Sequence, residues 1–101
     1  MADTKIPEML KLNEEHKFGE LIKFPANVKF KFIGVNDPNL IHVVRSFFHD
    51  DLKLIVNATE GALSRTGKYR TIEAQVEVPT EDFMYRIYNE GAKLPHVLKV
   101  L

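Results

Sequence analysis

Five apolar side chains, Leu40, Val43, Val44, Phe47 and Phe48, recur at i, i+3, i+4, i+7 and i+8, while His42, Arg45, Ser46 and His49 take the opposite face. That spacing is the stripe of an amphipathic helix. It constrains the fold most because segments of period two flank it on both sides. Before it, over residues 28–35, Val28, Phe30 and Phe32 alternate with Lys29 and Lys31, the pattern of a half-buried strand. Asp37 and Pro38 then supply a helix cap and a first helical residue that needs no N–H. After the helix, Leu52, Leu54, Val56 and Ala58 alternate with Lys53, Ile55, Asn57 and Thr59 as a second strand.

The second half repeats the scheme. A turn at Ser64-Arg65-Thr66-Gly67 leads into a long strand over residues 68–78. Arg70, Ile72, Ala74, Val76 and Val78 share one face of it, and Tyr69, Thr71, Glu73, Gln75 and Glu77 the other. Thr80 caps a helix whose buried stripe is Phe83, Met84, Ile87 and Tyr88, with Asp82 and Arg86 spaced to pair and Gly91 placed as the C-terminal cap. Residues 97–101 form a last strand with Leu98 and Val100 inward. The order β-α-β-β-α-β, with right-handed crossovers, predicts an α+β ferredoxin-like sandwich: a four-stranded antiparallel sheet with two helices on one face. The expected core is Phe30, Phe32, Val43, Val44, Phe47, Ile72, Val76, Phe83, Ile87 and Val100. On the bare face Lys29 and Lys31 meet Glu73 and Glu77 across the two central strands, so that face reads as polar and balanced.

Length and composition set the remaining bounds. At 101 residues the chain has room for one core. Residues 1–23 read as a partly ordered extension and residues 24–101 as the domain, with Phe24-Pro25 at the boundary. Fourteen basic and fourteen acidic residues cancel, so no net field attracts nucleic acid or an anionic membrane. The absence of cysteine excludes disulfides, thiol chemistry and cysteine-held metals. Residues 1–11 have no apolar run of the signal-peptide kind and no apolar run approaches a membrane span, so a cytoplasmic location is expected.

No constellation for catalysis emerges, so the chain reads as non-enzymatic, with no catalytic residues, metal or cofactor. His42 and His49 stand seven residues apart on one helix face, ~10 Å, too far to share a metal ion unaided. His16 and His96 have no ligand partner nearby in sequence. Ser46 is mid-helix and Ser64 is in a turn, without the strained elbow of a serine nucleophile. Glu14-Glu15, Asp50-Asp51 and Glu81-Asp82 are solvated pairs. RNA-recognition domains share this topology, but residues 68–75 offer Tyr69 alone for base stacking, and Glu73 and Glu77 oppose a phosphate backbone. An RNA-binding module is therefore the alternative reading, as is a purely protein-interacting domain.

Phe24-Pro25, Phe32-Ile33-Gly34, the hairpin Ser64-Arg65-Thr66-Gly67-Lys68-Tyr69-Arg70-Thr71, Tyr88, and the closing Pro95-His96-Val97-Leu98-Lys99-Val100-Leu101 together resemble the YbeD-like family of small bacterial proteins of unknown function, over Phe24 to the C-terminus. The resemblance implies a ferredoxin-like fold similar to ACT regulatory domains. It also implies a regulatory or accessory role, linked to lipoate metabolism in some members, and no catalytic residues. By the ACT analogy a small ligand is bound at a dimer interface, so a homodimer is one expected state; binding of a partner protein is the other expectation.

The candidate site lies at the hairpin. Ser64, Gly67, Lys68, Tyr69 and Arg70 put a hydroxyl, a flexible glycine, two cations and an aromatic ring within seven residues, and Lys31 adds a cation from the neighbouring strand. These groups suit a small anionic ligand or a partner protein.

Overall fold

The computed structural model describes residues 23–101, so the expectations for the chain up to residue 22, His16 included, lie outside the described residues. The elements run β1 (Ala26–Val35), α1 (Leu40–Ser46) continuing into a π-helical turn (Phe47–Asp51), β2 (Val56–Leu63), β3 (Tyr69–Val78), α2 (Glu81–Gly91) and β4 (Val97–Val100). The strands form one antiparallel sheet in the order β2-β3-β1-β4. This is the ferredoxin-like α+β architecture, with β1 and β3 paired along their full length at its centre, from Ala26 opposite Val78 to Val35 opposite Tyr69. Among the described residues no helix is long and apolar enough to cross a membrane.

Alternation in β1 and β3 sends Phe30, Phe32, Ile72, Ala74, Val76 and Val78 toward the helices, where all are buried. The Phe30 and Phe32 rings meet Phe48 at 6.3 and 5.7 Å and Phe47 lies 6.5 Å from Phe32, while Tyr88 of α2 packs edge-on to Phe30 at 5.3 Å. All but the tilted Phe30–Phe48 pair are edge-to-face, and such contacts add ~0.5–1.5 kcal/mol each beyond area burial. Burial pushes the Tyr88 hydroxyl up to about 12. The Tyr85 hydroxyl is also raised, by burial first and then by the Glu81 carboxylate, to which it donates at 3.4 Å.

Several local expectations change. The Asp37 carboxylate accepts from the Asn39 N–H at 2.8 Å, so it caps a tight opening turn, and the α-helix proper starts at Leu40. The helix then widens: Leu52 N–H reaches the Phe47 carbonyl, five residues back, at 3.1 Å. The wider turn carries Leu52 into the core, and β2 therefore starts at Val56 instead of Leu52. Val43 and Phe83 are half-buried, whereas Leu40, Leu52, Met84 and Tyr88 join the core. Arg86 pairs with Glu90, Nε to Oε2 at 3.2 Å, instead of with Asp82, and lies over the Phe83 ring at 5.7 Å. Gly91 is a buried residue inside α2 and has no positive φ. Its role is close approach, since a Cβ there would stand 2.9 Å from Phe32 Cε2.

Candidate functional site

The helices cover one side of the sheet, and the register fixes what the other side displays. Side chains alternate along a strand and directly paired residues share a face. Lys29, Lys31, Ile33 and Val35 of β1 therefore lie on the open face beside Gln75, Glu73, Thr71 and Tyr69 of β3. This face has two halves. Near the start of β1 it is polar: Lys31 is opposite Glu73, Lys29 Nζ lies 3.7 Å from Glu73 Oε1, and the Gln75 amide donates to the Asn27 carbonyl oxygen at 3.2 Å. Toward the β2–β3 turn it is apolar, with Val35 41%, Tyr69 42% and Leu98 56% exposed. The expectation of a uniformly polar bare face is thus corrected for that half.

The apolar half owes its shape to two irregularities at one level of the sheet. Ile33 and Thr71 are paired at the centre. On one side, two residues of β2, Gly61 and Ala62, stand against Thr71 alone in the interval between the Glu60–Ile72 and Leu63–Arg70 pairs. On the other side, the register of β4 shifts between Ile33 and Gly34, where Leu98 is the extra residue. An extra residue bends its strand and increases the local twist. Both edges are bent at the same height, and a shallow hollow of about 400 Å³ results, lined by Ile33, Ala62, Leu63, Ser64, Tyr69, Thr71, Leu98 and Lys99. The β4 bulge also overturns the expected inward position of Leu98: Val97 and Val100 are buried, and Leu98 is exposed. Gly34 makes this irregularity sterically feasible, because a Cβ there would run into the His96 carbonyl oxygen and stand 2.8 Å from Leu40 Cδ1.

The structure distributes the six residues of the sequence-derived site among three settings. Ser64 and Gly67 build the β2–β3 turn: the Ser64 hydroxyl accepts from the Tyr69 N–H at 3.1 Å, its carbonyl accepts from the Gly67 N–H at 2.9 Å, and Gly67 has φ 79°. Asn36 ties that turn to the end of β1, its side-chain amide donating to the Gly67 carbonyl at 3.0 Å and its N–H to the Lys68 carbonyl at 2.9 Å. Lys68 is exposed at the turn. Tyr69 and Lys31 share the open face, four rows or ~13 Å apart along the strands. Arg70 lies on the helix side, opposite Gly34, and donates Nη1 to the Gly61 carbonyl at 2.9 Å, while its buried Nε has no hydrogen-bond partner among the described residues. Tyr69 is thus brought together with Ile33, Val35 and Leu98, which the sequence reading did not single out. For Ile33 and Val35 the signal was present: the β1 alternation carries them onto the face of Lys29 and Lys31.

A second hollow, about 430 Å³, lies beside α1 between Asn39, His42, Ser46, Asp50 and Asp51 and the apolar Val43, Phe47 and Leu94. His49 Nδ1 stands 2.9 Å from Asp50 Oδ1, and both side chains are exposed. Among the described residues no three His, Asp or Glu side chains gather so as to hold a metal ion.

Residues 19–101 match the family described as a protein of unknown function (DUF493), the family to which the YbeD-like resemblance points. The match starts at residue 19 instead of Phe24 and so takes in the last residues of the expected extension. No curated protein and no solved structure matches the chain.

Proposed function

The chain belongs to the DUF493 family, whose description names no activity, and from its geometry we propose that it is an accessory, non-enzymatic module that docks a partner protein on the open face of its sheet. One observation carries the reading: a contiguous apolar surface, Ile33, Val35, Tyr69 and Leu98, sits in and beside a hollow that no other described part of the chain covers. Singly exposed apolar residues are ordinary, but a contiguous exposed patch marks an interaction surface. Burying three or four such side chains is worth several kcal/mol, at roughly 25 cal/mol per Å².

Charge placement favours a protein over a small anion. Lys29 and Lys31 have Glu73 beside them and Arg70 is on the other side of the sheet, so among the described residues Lys99, paired with Ile33, is left as the single cation at the hollow. Among the described residues Tyr69 is the one aromatic side chain in the hollow, and Glu73 lies on the same face, a poor match to RNA, which needs several stacking rings over a positive surface. A regulatory role of the kind the resemblance implies would then act through a protein contact.

The test compares Tyr69→Ala combined with Leu98→Ser against a helix-side control, His42→Ala combined with His49→Ala. Melting temperature checks folding, and hydrogen-exchange footprinting on the captured complex locates the contact. The expected footprint covers Ile33, Tyr69 and Leu98, and only the first variant loses capture. A footprint over α1, or capture that survives loss of Tyr69 and Leu98, overturns the proposal.

A further inference from the structure

We infer that the occupant of the open face is a second copy of this chain, the two sheets stacked face to face about a twofold axis that runs along the strands between β1 and β3. The inference rests on the docking reading above and names its partner. A twofold axis in that position lays each β1 over the partner's β3 at the same level, because the two strands are already in register within one sheet. The β1–β3 pairing then dictates what meets what. Lys31 is paired with Glu73, so each Lys31 falls over the Glu73 of the other copy; Val35 is paired with Tyr69, so each Val35 falls over the other Tyr69.

The register therefore sets Lys31 over Glu73 and Val35 over Tyr69, with Asn27 over Glu77, Lys29 over Gln75 and Ile33 over Thr71 in the remaining rows, so no row opposes like charges and the face can pair with itself as an isologous interface requires. The outer strands agree. The axis brings β4 over the partner's β2 and sets Leu98, 56% exposed, against the Gly61–Ala62 bulge. The area also fits. Strands of ten, eight, ten and four residues at ~3.4 Å per residue and ~4.8 Å spacing give a face on the order of 500 Å² in projection, and the accessible surface of side chains exceeds its projection. A standard interface takes ~800 Å² from each partner.

The test is a charge exchange read by sedimentation velocity from micromolar concentration to ~1 mM. Wild type shows a concentration-dependent monomer–dimer equilibrium. Lys31→Glu alone sets Glu over Glu73, and Glu73→Lys alone sets Lys31 over Lys, so each variant weakens its dimer at least ~tenfold. Mixed, the two variants again place opposite charges at both contacts, and the heterodimer returns to within a few-fold of wild type. The like-charge pair within each sheet is the same alone and in the mixture, so only a contact between copies explains recovery. Where either variant fails to fold, isotope-filtered NMR on mixed labelled and unlabelled wild type gives the second readout: contacts between the Tyr69 ring and the Val35 methyls of the other copy.

Wild type that stays monomeric to ~1 mM, or a mixture that does not recover, overturns the second-copy inference. Partner capture that still depends on Tyr69 and Leu98 would then leave the docking reading standing. A dimer indifferent to residues 31, 69 and 73 overturns the stacking, and with capture equally indifferent it overturns both.

Discussion

Gly91→Ala sets two effects of similar size against each other, and the structure decides between them. Gly91 closes α2, and in a helix alanine is favoured over glycine by ~1 kcal/mol. Against that gain, the new Cβ would stand 2.9 Å from Phe32 Cε2, 3.4 Å from Phe32 Cζ and 3.4 Å from Val100 Cγ2, where carbon atoms prefer ~3.5–4.0 Å. The ring has nowhere to go: Phe32 is fully buried, with Phe47 and Phe48 packed edge-on against it at 6.5 and 5.7 Å. Overpacking at such a site costs ~1–3 kcal/mol. The expected net effect is a loss of ~1 kcal/mol, seen as a fall in Tm of ~4–8 °C for a domain of this size. Circular dichroism melts and urea titration measure it. The decisive arm is the same substitution in a Phe32→Leu background. With the ring edge gone the clash is relieved and the helical gain remains, so Gly91→Ala should there be neutral or stabilising. A destabilisation of equal size in both backgrounds would refute the packing argument, as would a rise in Tm in the wild-type background.

Tyr88 has its hydroxyl raised from 10.0 to about 12 by burial, so the neutral form is favoured in the folded state. Its contribution is complete below pH 10 and is lost as the pH rises toward 12, a decline of roughly 2–3 kcal/mol; in Tyr88→Phe that part of the alkaline decline should disappear from the urea midpoints. Phe47→Ala, in the core at 2% exposure, should cost ~3–5 kcal/mol, whereas Phe83→Ala, half-buried beneath Arg86, should cost less than half as much; equal losses would mean that the packing of α2 is wrongly described. Lys53 is exposed and holds φ 59°, where a residue with a Cβ is strained by ~1–2 kcal/mol, partly offset in glycine by the entropy of its unfolded chain. Lys53→Gly should thus raise Tm by a few degrees, and a fall would refute the strain.

What was legible in the sequence depended on unbroken period. The stripe from Leu40 to Phe48, the half-buried Val43 excepted, and the alternation of Phe30 and Phe32 with Lys29 and Lys31 place their side chains as expected, and with them the order of elements and the central β1–β3 pair. Period fails where one residue is added. Leu52 reads as the first inward residue of a strand because its parity matches Leu54 and Val56, yet a five-residue hydrogen bond to Phe47 keeps it in the helical turn. Leu98 reads as inward because it precedes Val100 by two, and the bulge beside Gly34 turns it out. The Asp82–Arg86 spacing is sound, but Arg86 also has Glu90 four residues ahead and the Phe83 ring behind it, and spacing alone does not rank equal partners. Ser64 and Gly67 were legible as turn residues and as ligand groups alike. Their hydrogen bonds within the turn account for the first role.

The open face follows from the topology itself. In β-α-β-β-α-β order both crossovers are right-handed, so both helices land on the same side of the sheet. One sheet with two helices can then cover only one face, and apolar side chains on the other need cover from outside the fold. Leu98 and Val35 could have been polar at no cost to the core, since neither is part of it. The two bulges add to this. Each interrupts a ladder of hydrogen bonds at a sheet edge; the one in β4 lets both Val97 and Val100 enter the core and turns Leu98 out, and together they shape the hollow around Ile33 and Thr71. Sequence period reports only which side chains avoid water within one chain. The register between β1 and β3 adds what it omits, the position of Tyr69 against Val35 and of Lys31 against Glu73, and from that register a surface able to pair with its own copy can be derived.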